Sequence, residues 1–129
     1  MAGVLYDGAG RVLIAQRPAG KALAGRWEFP GGKLHDAEDA CAGLVRELRE
    51  ELGVETLTAT RLMYYPVAYS DRTVWLDVWI VHRWRGTVAG LDGQAIAWVP
   101  PGELARHDIL EADAPIVAAL ERLTVPAGR

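Results

Sequence analysis

The chain has one cysteine, one phenylalanine and no excess of basic residues: 14 Lys and Arg stand against 17 Asp and Glu, a formal charge of −3. The single thiol, Cys41, excludes an internal disulfide framework and a zinc ribbon, and it fits a reducing compartment. Without clustered basic residues there is no footprint for duplex nucleic acid, which needs cations to displace counterions from phosphates. Long apolar runs are missing as well. Residues 1–6 are too few for a secretory apolar region, and the stretch 74–81 is interrupted by Asp77, so the sequence reads as soluble and cytoplasmic, with no membrane partner. No repeat, linker or low-complexity block occurs. What is present is a chain of 129 residues, 50% of them hydrophobic, enough for one core, and residues 1–129 read as a single domain.

Local patterns predict the order β-β-loop-α-β-β-β-α. Short apolar runs at 4–6 and 12–15 flank Asp7-Gly8-Ala9-Gly10, whose residues tolerate positive φ, and predict a β-hairpin. From Arg17 to Gly32 the density of Gly and Pro predicts an irregular segment around a short strand at 27–29. The first helix follows, with Asp36 as N-cap, Glu38 and Asp39 in the first turn and Gly53 just past its end. Cys41, Leu44, Val45, Leu48 and Leu52 give it one apolar stripe. Two long strands at 54–69 and 73–84 meet at Ser70-Asp71-Arg72, a further strand covers 95–99, and residues 114–123 carry helical spacing through Val117, Leu120 and Leu123. Trp75, Trp79, Trp84 and Trp98 read as part of the sheet and its core.

Five of the 17 acids fall between Glu38 and Glu51. Glu47, Glu50 and Glu51 stand at i, i+3 and i+4, so their carboxylates project from one helix face and converge on a point that only a cation makes favourable. A solvated acidic face partnered by Arg46 and Arg49 is the plain alternative. Two features favour the cation: the acids border the apolar stripe, and the helix follows Pro30-Gly31-Gly32, whose bare backbone allows close approach of a ligand. Carboxylate oxygens with room for water suit Mg²⁺, with Mn²⁺ as a substitute, and such ions bridge acids to substrate phosphates.

The run Gly32, Glu38, Arg46-Glu47-Leu48, Arg49, Glu50-Glu51, Leu52, Gly53-Val54 resembles the complete signature of the Nudix hydrolase family. Seven positions of fixed type, at about 7% usage each, put a chance match near one window in about 10⁸, which decides for the family and says little of the substrate. Gln16-Arg17-Pro18, the segment from Gly25 to Gly32, Asp92-Gly93-Gln94 before Trp98, and Ala112-Asp113-Ala114-Pro115 look like its MutT branch. This resemblance implies an α/β fold, the Nudix fold, with a mixed β-sheet sandwiched between helices. It implies that Glu47, Glu50 and Glu51, with the carbonyl of Gly31, ligate Mg²⁺, and that Asp92 stands where the branch carries another acid, as ligand or base. Glu47, Glu50 and Asp92 are the candidates for the base that activates water, and Arg46 pairs with Glu38 or a ligand acid and fixes its rotamer. Arg17 matches an arginine that reaches toward phosphate, with Lys33 a second candidate. Phe29 and Arg72 match positions around the base, on which Tyr69 is placed to stack.

Two departures from the branch stand out. Asp113 occupies the position where the purine-reading enzyme carries Asn, and an ionised Asp is an acceptor only. It also reads as an N-cap for the helix at 114. Related branches with an acid there include cytidine-type pyrophosphohydrolases and enzymes acting on several oxidised purines. The other departure is that relatives begin about half a strand earlier, so the first strand reads as shortened. The resemblance thus implies a Mg²⁺-dependent nucleoside triphosphate pyrophosphatase that sanitises the nucleotide pool, with 8-oxo-dGTP favoured, CTP or a modified dCTP as the alternative substrate, and a monomeric or homodimeric state. A catalytically silent nucleotide-sensing module on the same fold is the alternative of another class, against which the intact acid triplet speaks.

Overall fold

The computed structural model describes residues 1–124. Its strands are β1 (Ala2–Leu5), β2 (Val12–Gln16), β3 (Trp27–Glu28), β4 (Glu55–Ala68), β5 (Thr73–Arg85) and β6 (Ile96–Val99). The helices are α1 (Ala40–Leu52) and α2 (Ala114–Thr124), and two 3₁₀ turns, Pro101–Arg106 and Glu111–Asp113, lead into the second.

The strands form two three-stranded sheets instead of the one mixed sheet expected. One is mixed, in the order β1-β5-β4, with β1 parallel to β5 and β5 antiparallel to β4. The other, β3-β2-β6, is antiparallel throughout. The expected hairpin between the first two strands is corrected accordingly. Its turn does close: the Asp7 carboxylate accepts from the amides of Ala9 and Arg11, both at 2.9 Å, and Gly10 adopts φ +78. Beyond a single Tyr6–Val12 bridge, however, the strands part into different sheets, because β1 spends its ladder on Val78 to Val81 of β5.

Both β1 and β2 are buried on both faces, which separates two cores. Val4, Val12, Ile14 and Val78 pack with Leu104, Ile116 and Leu120 on the α2 side. Leu5, Leu13 and Val81 pack with Leu44, Leu48 and Leu52 of α1. The strands therefore lie between the helices, the α/β/α arrangement. No helix among the described residues is long and apolar enough to cross a membrane.

The start of α1 differs from its predicted place. Asp39, not Asp36, caps it, with its carboxylate accepting from Ala42 N at 3.1 Å, and Glu38 and Asp39 lie outside the first turn. Residues 36–38 form a separate turn instead, in which Ala37 takes φ 62 and the Glu38 carboxylate accepts from His35 N at 2.8 Å. At the other end Gly53 is left-handed at φ 74 and its amide donates to Arg49 O, the C-cap read from the sequence. In α2 the buried stripe runs through Ile116, Ala119 and Leu120, while Leu123 is exposed. Trp75 is also more exposed than a core residue: it stacks on Tyr64 at 5.0 Å between centroids, with half its surface free.

Candidate active site

Five segments converge on an open cleft of about 840 Å³: the end of β2, the loop from β3 to α1, the β4–β5 turn, and the segments around Asp92 and around Asp113. Of the residues singled out in the sequence, Arg17, Phe29, Gly31, Lys33, Glu51, Tyr69, Arg72, Asp92 and Asp113 line it. Glu47, Glu50 and Arg46 do not line it; Glu47 lies against Gly32, and Arg46 bonds both Glu47 and Glu50. A Cβ at Gly32 would collide with the Glu47 carboxyl group, so the missing side chain is what lets this acid lie against the loop.

One guanidinium organises the acid face. Arg46 grips Glu38 with two hydrogen bonds (Nε to Oε2 2.8 Å, Nη2 to Oε1 3.0 Å) and donates from Nη1 to Glu47 at 3.0 Å and Glu50 at 3.1 Å. Its Nη2 also donates to the carbonyl of Lys33 at 3.0 Å, tying the loop to the helix. Hydrogen bonds from Arg46, then from the His35 amide, pull the Glu38 carboxyl down to about 2.

Glu51 is different in kind. Its Oε2 accepts from Gly31 N at 3.1 Å, and burial, followed by the charge of Glu47 and then those of Glu28 and Asp92, pushes its carboxyl up to about 7. A carboxylate driven that far by burial and like charge is one that a cation would restore to its ionised form. Among the described residues no three acid, histidine or cysteine side chains stand together as a ready-made metal cage. The donor set nonetheless fits a hard divalent cation in charge and atom type: Glu47, Glu50, Glu51 and Asp92 supply only oxygen.

Asp92 reaches this neighbourhood because its loop docks on the C-terminus of α1. Leu91 N and Gln94 Nε2 donate to Glu51 O at 3.0 and 3.1 Å, Ala89 N donates to Leu52 O at 3.0 Å, and Asp92 N donates to the Gln94 side chain at 2.8 Å. Carbonyls that every helix end leaves unpaired are thus answered by the loop.

At the far end of the cleft, Asp113 is 7% exposed and accepts from Phe29 N at 3.0 Å. Burial raises its carboxyl to about 6. The Phe29 ring itself is a core group, 4% exposed, so it is the backbone amide of this residue that meets Asp113. Arg17 donates through Nη1 to both oxygens of Glu28 (3.3 and 3.2 Å) and through Nε to Ala22 O at 2.6 Å. Arg72 pairs with Asp71 and lies 5.3 Å over the Tyr69 ring, which is half exposed at the cleft rim.

Glu28 was not among the residues picked from the sequence. It lines the cleft, its carboxyl is raised by burial against the lowering effect of Arg17, and its charge bears on both Glu51 and Asp113. The available signal was a carboxylate between two aromatic residues, Trp27 and Phe29, in a strand that is otherwise half buried.

Known proteins resemble this chain along most of its length. The family profile described as the NUDIX domain matches residues 1–120. The chain is 39% identical over 114 residues to the CTP pyrophosphohydrolase of Escherichia coli K12, covering 88% of this chain and 84% of that protein. It is 32% identical over 121 residues to the 8-oxo-dGTP diphosphatase of the same organism, covering 94% of each. Among solved structures, one from work on MutT of Aliivibrio salmonicida and Vibrio cholerae superposes with a TM-score of 0.83 at 29% identity, over 95% of this chain and 94% of the other.

Proposed function

The chain belongs to the Nudix hydrolase family, and from that membership we propose that it cleaves nucleoside triphosphates to a nucleoside monophosphate and pyrophosphate, preferring an oxidised purine nucleotide, 8-oxo-dGTP. Nudix hydrolases generally use a divalent metal, and Mg²⁺ is our assignment, with Mn²⁺ able to replace it. Glu47, Glu50, Glu51, the Gly31 carbonyl and Asp92 would hold the ion. When bound it supplies charge neutralisation at the phosphates.

What supports this reading most is Glu51, a half-buried carboxylate lifted to about 7 by desolvation and the charges of Glu47, Glu28 and Asp92, at the cleft wall where a triphosphate would meet the helix. Water attacks phosphorus, an anhydride P–O bond breaks, pyrophosphate leaves, and the water proton passes to a carboxylate. Glu47, Glu50 and Asp92 are the candidate acceptors, Glu47 being the one bonded by Arg46 and lying against Gly32. Arg17 and Lys33 bind phosphate, Arg17 exchanging Glu28 for it. Tyr69 and Arg72 form the wall for the base, and Asp113, held by the Phe29 amide, reads its edge. A cytoplasmic role in clearing damaged nucleotides follows from that preference.

Asp113 favours a second substrate reading, a CTP-type triphosphate. A buried carboxylate accepts from an exocyclic amine, and a relative at 39% identity is named a CTP pyrophosphohydrolase. Pyrophosphate release from 8-oxo-dGTP and from CTP analogues, with Mg²⁺, separates the two. Strong turnover of CTP analogues with none of 8-oxo-dGTP would overturn the preference.

A further inference from the structure

Arg26 lies just before β3 and outside the cleft, yet it ties together the segment that delivers Asp113. From its fork, Nη2 donates to Ile109 O at 2.8 Å and to Glu111 Oε1 at 2.7 Å, and Nε approaches Asp108 Oδ1 at 2.9 Å, contacts that reach 82 to 85 residues along the chain. The backbone runs alongside: Trp27 N donates to Asp108 O at 2.8 Å and Leu110 N to Trp27 O at 2.9 Å. Tyr65 Oη donates to Ala112 O at 2.6 Å from the other side. Residues 108–112 are therefore laid along β3, and the next residue, Asp113, meets the amide of Phe29 on that same strip of chain.

Asp108 and Glu111 are exposed, so their ion pairs are screened and contribute little energy on their own. Geometry is what the fork supplies: a planar guanidinium satisfies a carbonyl and two carboxylates at fixed angles, which one ammonium does not. Among the described residues the hydrogen bonds of the fork all go to residues 108–111, while the Arg26 backbone accepts from Arg17 N at 2.8 Å and donates to Leu23 O at 3.1 Å, bonds that a change of side chain leaves in place.

We propose that Arg26 is a positioning residue for base selection: by holding residues 108–111 against β3 it sets where the Asp113 carboxylate stands, and so which nucleobase edge the cleft accepts. This rests on the reading of Asp113 as the base reader.

The test is steady-state kinetics with 8-oxo-dGTP, dGTP and CTP for the wild type, Arg26→Gln, Arg26→Lys, Asp113→Asn and the double variant Arg26→Gln/Asp113→Asn. Loss of the fork should raise KM for the preferred nucleotide about tenfold, the loss of one charge-assisted hydrogen bond's worth of placement, and leave kcat within about twofold. Discrimination among the three nucleotides should narrow, Arg26→Lys should fall between, and the double variant should discriminate no worse than Asp113→Asn alone. If Arg26→Gln does not fold, Glu111→Ala removes one exposed acceptor and should give a smaller change of the same sign. Unchanged discrimination in Arg26→Gln, a fall in kcat at constant KM, or additive loss in the double variant overturns the proposal. Should Asp113→Asn itself leave discrimination unaltered, the base-reading assignment fails, and the role of Arg26 with it.

Discussion

At the base end of the cleft, Asp113 is the carboxyl that burial moves toward neutral pH. Its carboxyl stands near 6 in the folded protein, against an ordinary value of 3.8, because burial disfavours the charge. A raised carboxylate works against folding: between about 4 and 6 the unfolded chain has released a proton that the folded chain still holds. Stability therefore declines as pH rises through that window, by about 3 kcal/mol for a shift of this size. The same titration changes what the group offers a base, a donor below about 6 and acceptors only above it. Asp113→Asn should lessen the decline in denaturation free energy between pH 4 and 6, leaving the part that Glu51 and Glu28, also raised by burial, contribute. It should also abolish any pH dependence of base preference near 6 and move preference toward 8-oxo-dGTP. Loss of activity on every triphosphate would instead assign Asp113 to folding or chemistry. Asp113 drew notice through the resemblance of Ala112-Asp113-Ala114-Pro115 to the MutT branch, its place before a helix pointing only to an N-cap. Its partner was not legible, since the donor is a backbone amide, and any residue at position 29 brings one. Glu28 escaped notice for a related reason: one carboxylate in a two-residue strand reads as the wet face, and only its pairing with Arg17 shows that the face is inside a cleft.

At the scale of elements, α1 was the most readable part of the chain, because spacing of 3.6, a C-terminal glycine and charges beside an apolar stripe all point to one helix. Its start was ambiguous for a physical reason. Asp36 and Asp39 are both capping residues, and the left-handed Ala37 that decides between them leaves no mark in composition. Strand pairing was the least readable: β1 and β5 are joined in parallel across most of the chain, and a strand buried on both faces carries no alternation to reveal its neighbours. The loop before α1 makes a sharper claim testable. Gly32 does not need a positive φ, so Ala fits its backbone, and what an added methyl meets is the Glu47 carboxyl group. Gly32→Ala should therefore leave the melting temperature nearly unchanged while lowering kcat about 10²-fold, the scale of a catalytic group displaced by an ångström. A variant as active as the wild type would show that the position of Glu47 is not critical.

For the whole molecule the question is how a chain of charge −3 receives a polyanion. The cleft does not solve it alone: Arg17, Lys21, Lys33 and Arg72 line it, but so do Glu28, Glu51, Asp77, Asp92 and Asp113. Glu47, against Gly32, and the exposed Glu50 add to the negative side. Two divalent ions would turn −3 into about +1 by ion charge alone, which makes the deficit a metal requirement. Triphosphate binding, followed by calorimetry, should vanish in EDTA and return with Mg²⁺ or Mn²⁺. The most direct measurement of the central claim is pyrophosphate release from 8-oxo-dGTP and CTP in the presence of Mg²⁺, for the wild type and for Glu50→Gln. A metal-dependent pyrophosphatase predicts steady release by the wild type and a loss of about 10²-fold or more in the variant. Equal rates for the two proteins, both at background, would contradict it and leave a nucleotide-sensing module on a hydrolase fold.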